Sequence, residues 1–107
     1  QVPMMDVLRT TVSMTGHFDP VSDPGNYKRR AIWLTAQIGG LIAARYRLLN
    51  GQEPIEAKPG LSHAAQILYQ AQGTEPDALS AKLLDLTLIL YAEHEFNAST
   101  FTARVIC

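Results

Sequence analysis

Asn26 is a good N-cap and Gly51 a good residue to follow a helix C-terminus, so Tyr27 to Asn50 is bracketed as one long helix. At ~1.5 Å per residue it extends about 36 Å. Its middle, from Ala31 to Ala44, is apolar nearly all round, so the helix is expected to be enclosed on more than one side. Within it Gly39 and Gly40 each cost roughly 1 kcal/mol relative to alanine. Close approach of another helix backbone is the simplest compensation. Lys28, Arg29 and Arg30 stand at the helix start, where the dipole disfavours cations. They are either solvated or placed to meet an anion.

The rest of the chain also reads as helices joined by turn chemistry. Met5, Leu8, Val12 and Thr15 recur at helical spacing, and Gly16 is placed to end that helix. His17 to Asn26 carries two prolines, two aspartates and a glycine and reads as a connecting loop in which His17 is solvated. Gln52 to Gly60, with Pro54 and Pro59, reads as another. Ser62 caps a short helix from His63 to Gln72 that Gly73 closes, and His63 is expected to cap or pack. Thr74-Glu-Pro-Asp77 has the form of a variant capping box with proline in the first turn. It announces a fourth helix through Leu79, Leu83, Leu86 and Leu90, with Leu84, Leu88 and Tyr91 broadening the stripe. A fifth helix starts near Ser99 or Thr100. The expected fold class is all-α, a single unit over 1–107 with about five helices, no internal repeat and no convincing strand.

Composition removes several function classes. A formal charge of -1 over 107 residues gives no sequence-wide field for nucleic acid or an anionic membrane surface, so neither is an expected partner. At 47% hydrophobic and 18% charged the chain suits an ordinary globular unit, and no apolar run approaches a membrane span. The single cysteine, Cys107, allows no internal disulfide and no cysteine-based metal site, which makes a cytoplasmic setting the default. No metal is expected. The chain opens on Gln1 and closes on a helix just begun, the pattern of a piece of a longer protein.

Chemistry converges on Glu93-His-Glu-Phe-Asn-Ala-Ser99, a link between the fourth and fifth helices. A histidine in a helix's last turn feels the negative end of the dipole, and Glu93 and Glu95 flank His94. Both influences favour its protonated form and suit it to donate hydrogen bonds to a carboxylate or carbonyl oxygen. Asn97 and Ser99 add donors or cap the next helix. From residues alone, a helix-terminal histidine beside an Asn/Ser cap is more often local structure than a binding site.

Leu90-Tyr-Ala-Glu-His-Glu-Phe-Asn-Ala-Ser-Thr-Phe-Thr-Ala-Arg-Val105 closely resembles the citrate synthase family's segment in which an acid-His-Glu run leads through Asn and Ser into a new helix. Met5 to Ser13 is similar to the family's early PMDVLRT helix, and Gly60 to Tyr69 to the short helix before the signature. Pro3-Met4-Met5 departs from the usual HPM, so the family histidine there is absent. The resemblance implies the middle of the large helical domain of a longer, homodimeric enzyme that condenses a short acyl-CoA with oxaloacetate. Acyl-CoA is then a substrate, and no cofactor is implied. His94 matches the family histidine that hydrogen-bonds oxaloacetate. Asn97 and Ser99 match residues shaping that pocket, and Arg29 an arginine that reaches coenzyme A phosphates across the dimer interface. The wording from Tyr91 to Thr102 is closer to 2-methylcitrate synthases, which implies propionyl-CoA as donor, with acetyl-CoA the other choice. The family's GPxHGG and GxGHxxY histidine loops are not among these residues, so this polypeptide alone is expected to be inactive. The other reading is a non-catalytic helical dimerisation or regulatory module on the same scaffold.

Overall fold

The computed structural model describes residues 2–20, 25–92 and 98–106. Among these residues the chain forms α1 (Met4–Thr15), α2 (Tyr27–Leu49), α3 (His63–Gln72), α4 (Ala78–Ala92) and α5 (Ala98–Ile106), with no strand. The all-α expectation holds.

Helix ends follow local chemistry in most places. At the end of α2, Gln52 N donates to Arg47 O at 2.9 Å and Gly51 N to Leu48 O at 3.2 Å, while Gly51 takes φ +69°. That is the Schellman arrangement, which only an unhindered left-handed residue closes cheaply. Ser62 Oγ accepts from Ala65 N at 3.3 Å to start α3, and Gly73 at φ +88° ends it. A serine cap of this kind contributes about 1 kcal/mol.

Two ends differ from the sequence reading. Gly16 has φ −57°, in the right-handed region, and the chain runs on into a 3-10 turn from Gly16 to Phe18. The α-helix stops at Thr15, but not through a left-handed glycine. Thr74 does not cap α4, and Pro76 lies before the helix rather than in its first turn. Asp77 is the cap: its carboxylate accepts from Ser80 N at 2.9 Å and from Ser80 Oγ at 2.7 Å. Pro76 disfavours helical geometry at Glu75, so the helix begins only past it.

These bonds hold the Asp77 carboxyl below the usual carboxylate range, the Ser80 hydroxyl and backbone N–H being the main causes. A carboxylate with a depressed folded pKa stabilises above its unfolded pKa, near ~4, and loses that effect as pH falls through the lower folded value. Acid titration of helicity is therefore expected to show α4 losing its cap below about pH 4, and Asp77→Ala to flatten that limb. An unchanged acid limb in the variant would contradict the assignment.

The tightest packing is built from small residues. Gly39 and Ala43 of α2 and Ala64 and Ala65 of α3, two helices in contact, are all buried, with Ala43 at 1% and Ala64 at 0% exposure. What fills the space a Gly39 side chain would take is not another helix backbone but the Ile67 and His63 side chains of α3. A Cβ at Gly39 would lie 2.8 Å from Ile67 Cγ1, whereas one at Gly40 would have 3.6 Å to Gln70 Oε1. The close approach therefore belongs to Gly39 alone. Further contacts join α1 to α2 and α3 to α4. Arg45 of α2 also reaches the segment just before α1, its Nη2 donating to Val2 O at 3.0 Å.

Enclosure of α2 is only partial. Ile32 is 72% exposed and Tyr46 52%, because α1 and α3 cover other sides of the helix. On α4, Ser80, Ala81, Leu84 and Leu88 form the half-buried face, and Leu79, Leu83, Leu86 and Leu90 are 47–65% exposed. Both faces of α4 are apolar, so helical spacing alone did not determine which one packs against α3. Cover on the leucine face is worth about 1 kcal/mol or more per side chain.

Candidate functional site

The predicted site residues fall on three parts of the chain. His94 and Asn97 lie outside the described residues. Ser99 is the second residue of α5 and is exposed. Arg29 is in the first turn of α2, exposed, its backbone N–H donating to the Asn26 side chain at 3.4 Å. Among the described residues α2 and α5 do not touch, so Arg29 and Ser99 are not brought together.

The described portion carries α4 to Ala92, the residue before the 93–97 segment. The helix is capped at its start by Asp77 and packs against α3. Lys58 forms an exposed ion pair with Glu75 just upstream of the same helix. At the other end of α2, the basic triplet is not uniform: Arg30 Nε is 2.8 Å from the Asp19 carboxylate, so one of its cations already has an internal anion. Lys28 and Arg29 of the same helix start are exposed.

An open groove of about 670 Å³ runs between α2 and α3, lined by Thr35, Gly40, Leu61, His63, Gln66 and Ile67 among others. Its walls are mainly apolar, and it contains none of the predicted site residues. His63 is exposed as the first residue of α3, with Cε1 3.5 Å from the place a Gly39 Cβ would occupy. It packs at the helix crossing, while Ser62 is the cap. Among the described residues no group of three or more His, Cys, Asp or Glu is arranged to hold a metal ion, and no helix is long and apolar enough to cross a membrane.

Arg47 was not singled out by sequence reasoning. Its Nε donates to Glu53 O at 2.6 Å and its Nη1 to Ala71 O at 3.4 Å, so it ties the end of α2 to the following loop and to the end of α3. A cation in a helix's last turn was a visible signal, but it reads first as a dipole partner.

The sequence pattern of the family described as Citrate synthase, C-terminal domain matches residues 1–107. The chain belongs to the citrate synthase family. Citrate synthase 2 of Bacillus subtilis is 42% identical over 104 residues, 94% of this chain and 28% of that protein. The Citrate/2-methylcitrate synthase of the same organism is 42% identical over 105 residues, 95% of this chain and 28% of that protein. The 2-methylcitrate synthase of Mycobacterium tuberculosis strain H37Rv is 38% identical over 103 residues, 95% of this chain and 26% of that protein. The chain thus spans just over a quarter of the length of these citrate synthase-family relatives. The family resemblance expected from Leu90 to Val105 and from the two shorter stretches is met across the whole chain. Relatives named for citrate and for both products share one identity value, so overall similarity does not separate the acyl donors.

Proposed function

We propose that this chain is part of the large helical domain of a homodimeric cytoplasmic acyltransferase that condenses a short acyl-CoA, propionyl-CoA or acetyl-CoA, with oxaloacetate to give 2-methylcitrate or citrate. Membership of the citrate synthase family over residues 1–107 carries the reading. The chemistry requires a base for the acyl α-proton, a donor for the enol oxygen, and a further donor to polarise the ketone while cations hold two carboxylates. His94 serves the last of these, as a donor to oxaloacetate. Asn97 and Ser99 shape the same pocket, Ser99 by orienting an imidazole from another part of the enzyme. Arg29 meets the coenzyme A phosphates, a role supported by its exposure at the start of α2. The family wording from Tyr91 to Thr102 favours propionyl-CoA.

The proton-abstracting and enol-stabilising groups are supplied by the remainder of the enzyme, and losing such groups together forfeits nearly all transition-state stabilisation. The isolated 107-residue chain is therefore expected to release no thiol from acetyl-CoA or propionyl-CoA with oxaloacetate. The full-length parent releases it from both, and its kcat/KM values rank the donors. Saturable thiol release by the isolated chain would refute the division of labour. No release by the parent would refute the activity itself.

A further inference from the structure

The sequence holds three asparagines, Asn26, Asn50 and Asn97, and only Asn50 is followed by glycine. Asparagine is a thermolabile residue because the backbone nitrogen of the next residue can attack its side-chain carbonyl carbon. A side chain on that next residue hinders the approach, and Gly51 has none. Both residues are exposed at the end of α2.

The end of α2 holds the two reacting groups apart in three ways. Asn50 Nδ2 donates to Tyr46 O at 2.8 Å, which turns the side chain back along the helix. Gly51 N donates to Leu48 O at 3.2 Å, so the attacking nitrogen is engaged. The five-membered ring closes only when Asn50 Cβ and the Gly51 nitrogen are nearly eclipsed about the Cα–C bond. At ψ 13° the Asn50 nitrogen, not its Cβ, occupies that eclipsed place. Beyond the cap, Arg47 Nε donates to Glu53 O at 2.6 Å and ties the following loop to the same helical turn. Attack therefore needs the cap to open, and the ends of helices are where such local opening costs least.

We propose that Asn50–Gly51 is a deamidation site whose rate is set by opening of the α2 cap. Gly51 N loses its proton to solvent and bonds to Asn50 Cγ, and the side-chain nitrogen leaves as ammonia. Water then opens the resulting succinimide. Cleavage of the new bond gives aspartate with an ordinary main chain, and cleavage of the original peptide bond gives isoaspartate. Both products place a carboxylate at the negative end of the α2 dipole and remove the amide that donates to Tyr46 O. Isoaspartate also lengthens the main chain by a methylene just before the loop that Arg47 holds.

The test incubates the full-length enzyme in mildly alkaline buffer and follows the peptides containing Asn50 and Asn26 by chromatography and mass spectrometry, beside an unstructured synthetic peptide spanning residues 46–53. Asn50 in the enzyme is expected to convert about tenfold more slowly than in the synthetic peptide, and faster than Asn26, which Tyr27 follows. Arg47→Gln is expected to speed conversion about threefold by freeing the loop after the cap. Ser62→Ala removes the cap of α3 and is the control for a general loss of stability, with Asn50 converting at the wild-type rate. An intact Asn50 after the synthetic peptide has fully converted overturns the site. Equal rates in enzyme and peptide overturn the gating, as does an equal acceleration in Ser62→Ala. If Arg47→Gln does not fold, Arg47→Lys takes its place, and a wild-type rate in the variant that folds overturns the part given to Arg47. Asn50→Asp copies one product and is expected to lower the unfolding midpoint of the enzyme. A midpoint at or above the wild-type value overturns the cost assigned to the modification.

Discussion

His94→Ala in the full-length enzyme is expected to lower kcat/KM for oxaloacetate about a hundredfold. A hydrogen bond to a charged partner is worth ~1.5–3 kcal/mol, and removing the donor leaves a substrate oxygen unpaired in a pocket built to hold it. Each 1.4 kcal/mol is tenfold, so a loss near 3 kcal/mol corresponds to about two orders of magnitude. The sequence reading puts His94 in the last turn of the fourth helix, whose last described residue is Ala92, with Glu93 and Glu95 as neighbours in sequence. Both features favour a donor directed at a dicarboxylate. His94→Gln keeps a neutral donor and is expected to lose less. The KM for acyl-CoA measures whether the effect is local, and it should change little in either variant. Wild-type kcat/KM in His94→Ala would remove this residue from the site.

Gly39→Val is expected to destabilise the protein by about 2–3 kcal/mol, the upper part of the range for forcing extra methyl groups into a packed contact. The first carbon added already meets Ile67 Cγ1 at 2.8 Å and Cδ1 at 3.0 Å, closer than carbon atoms approach without something shifting. Helix propensity acts in the other direction, because valine is a better helix former than glycine by a few tenths of a kcal/mol. Overpacking wins. At the neighbouring position the balance reverses: a methyl group at Gly40 stands 3.6 Å from the nearest atom, the end of the Gln70 side chain. Gly40→Ala should therefore stabilise by roughly 0.5–1 kcal/mol. Urea titrations of the two variants should shift in opposite directions. Truncation of Ile67 to alanine in the Gly39→Val background should cost less than in the wild type, since it removes the clashing atoms. A Gly39→Val midpoint at or above the wild-type value would show that α2 and α3 do not cross at that glycine.

Sequence patterns identified the helices because each was written locally. Asn26 and Gly51 bound α2, Ser62 and Gly73 bound α3, and the observed ends agree with them. Where they failed, two local signals competed: Thr74 and Asp77 were both cap residues, and Pro76 left only Asp77 in position to hold the first turn of α4. Gly16 shows the converse, a glycine suited to a left-handed end that the chain used in a right-handed turn. Of the candidate site, the sequence and its family resemblance supplied His94, Asn97, Ser99 and Arg29 as expectations. They carried no sign of Arg47.

By itself, the sequence determined an all-α chain of the citrate synthase family, the approximate span of each helix, and the residues to test for oxaloacetate binding. Those rest on spacing, caps and motif wording within short stretches. Tertiary structure alone decided that Gly39 and not Gly40 takes the close approach, that the Leu84 and Leu88 side of α4 packs while the Leu79 and Leu83 side stays open, and that Arg47 clamps Ala71 twenty-four positions away. Each depends on which segments meet in space. Helical periodicity and capping fix only how a segment relates to itself, so an apolar face or a terminal arginine acquires its partner only when the chain folds back.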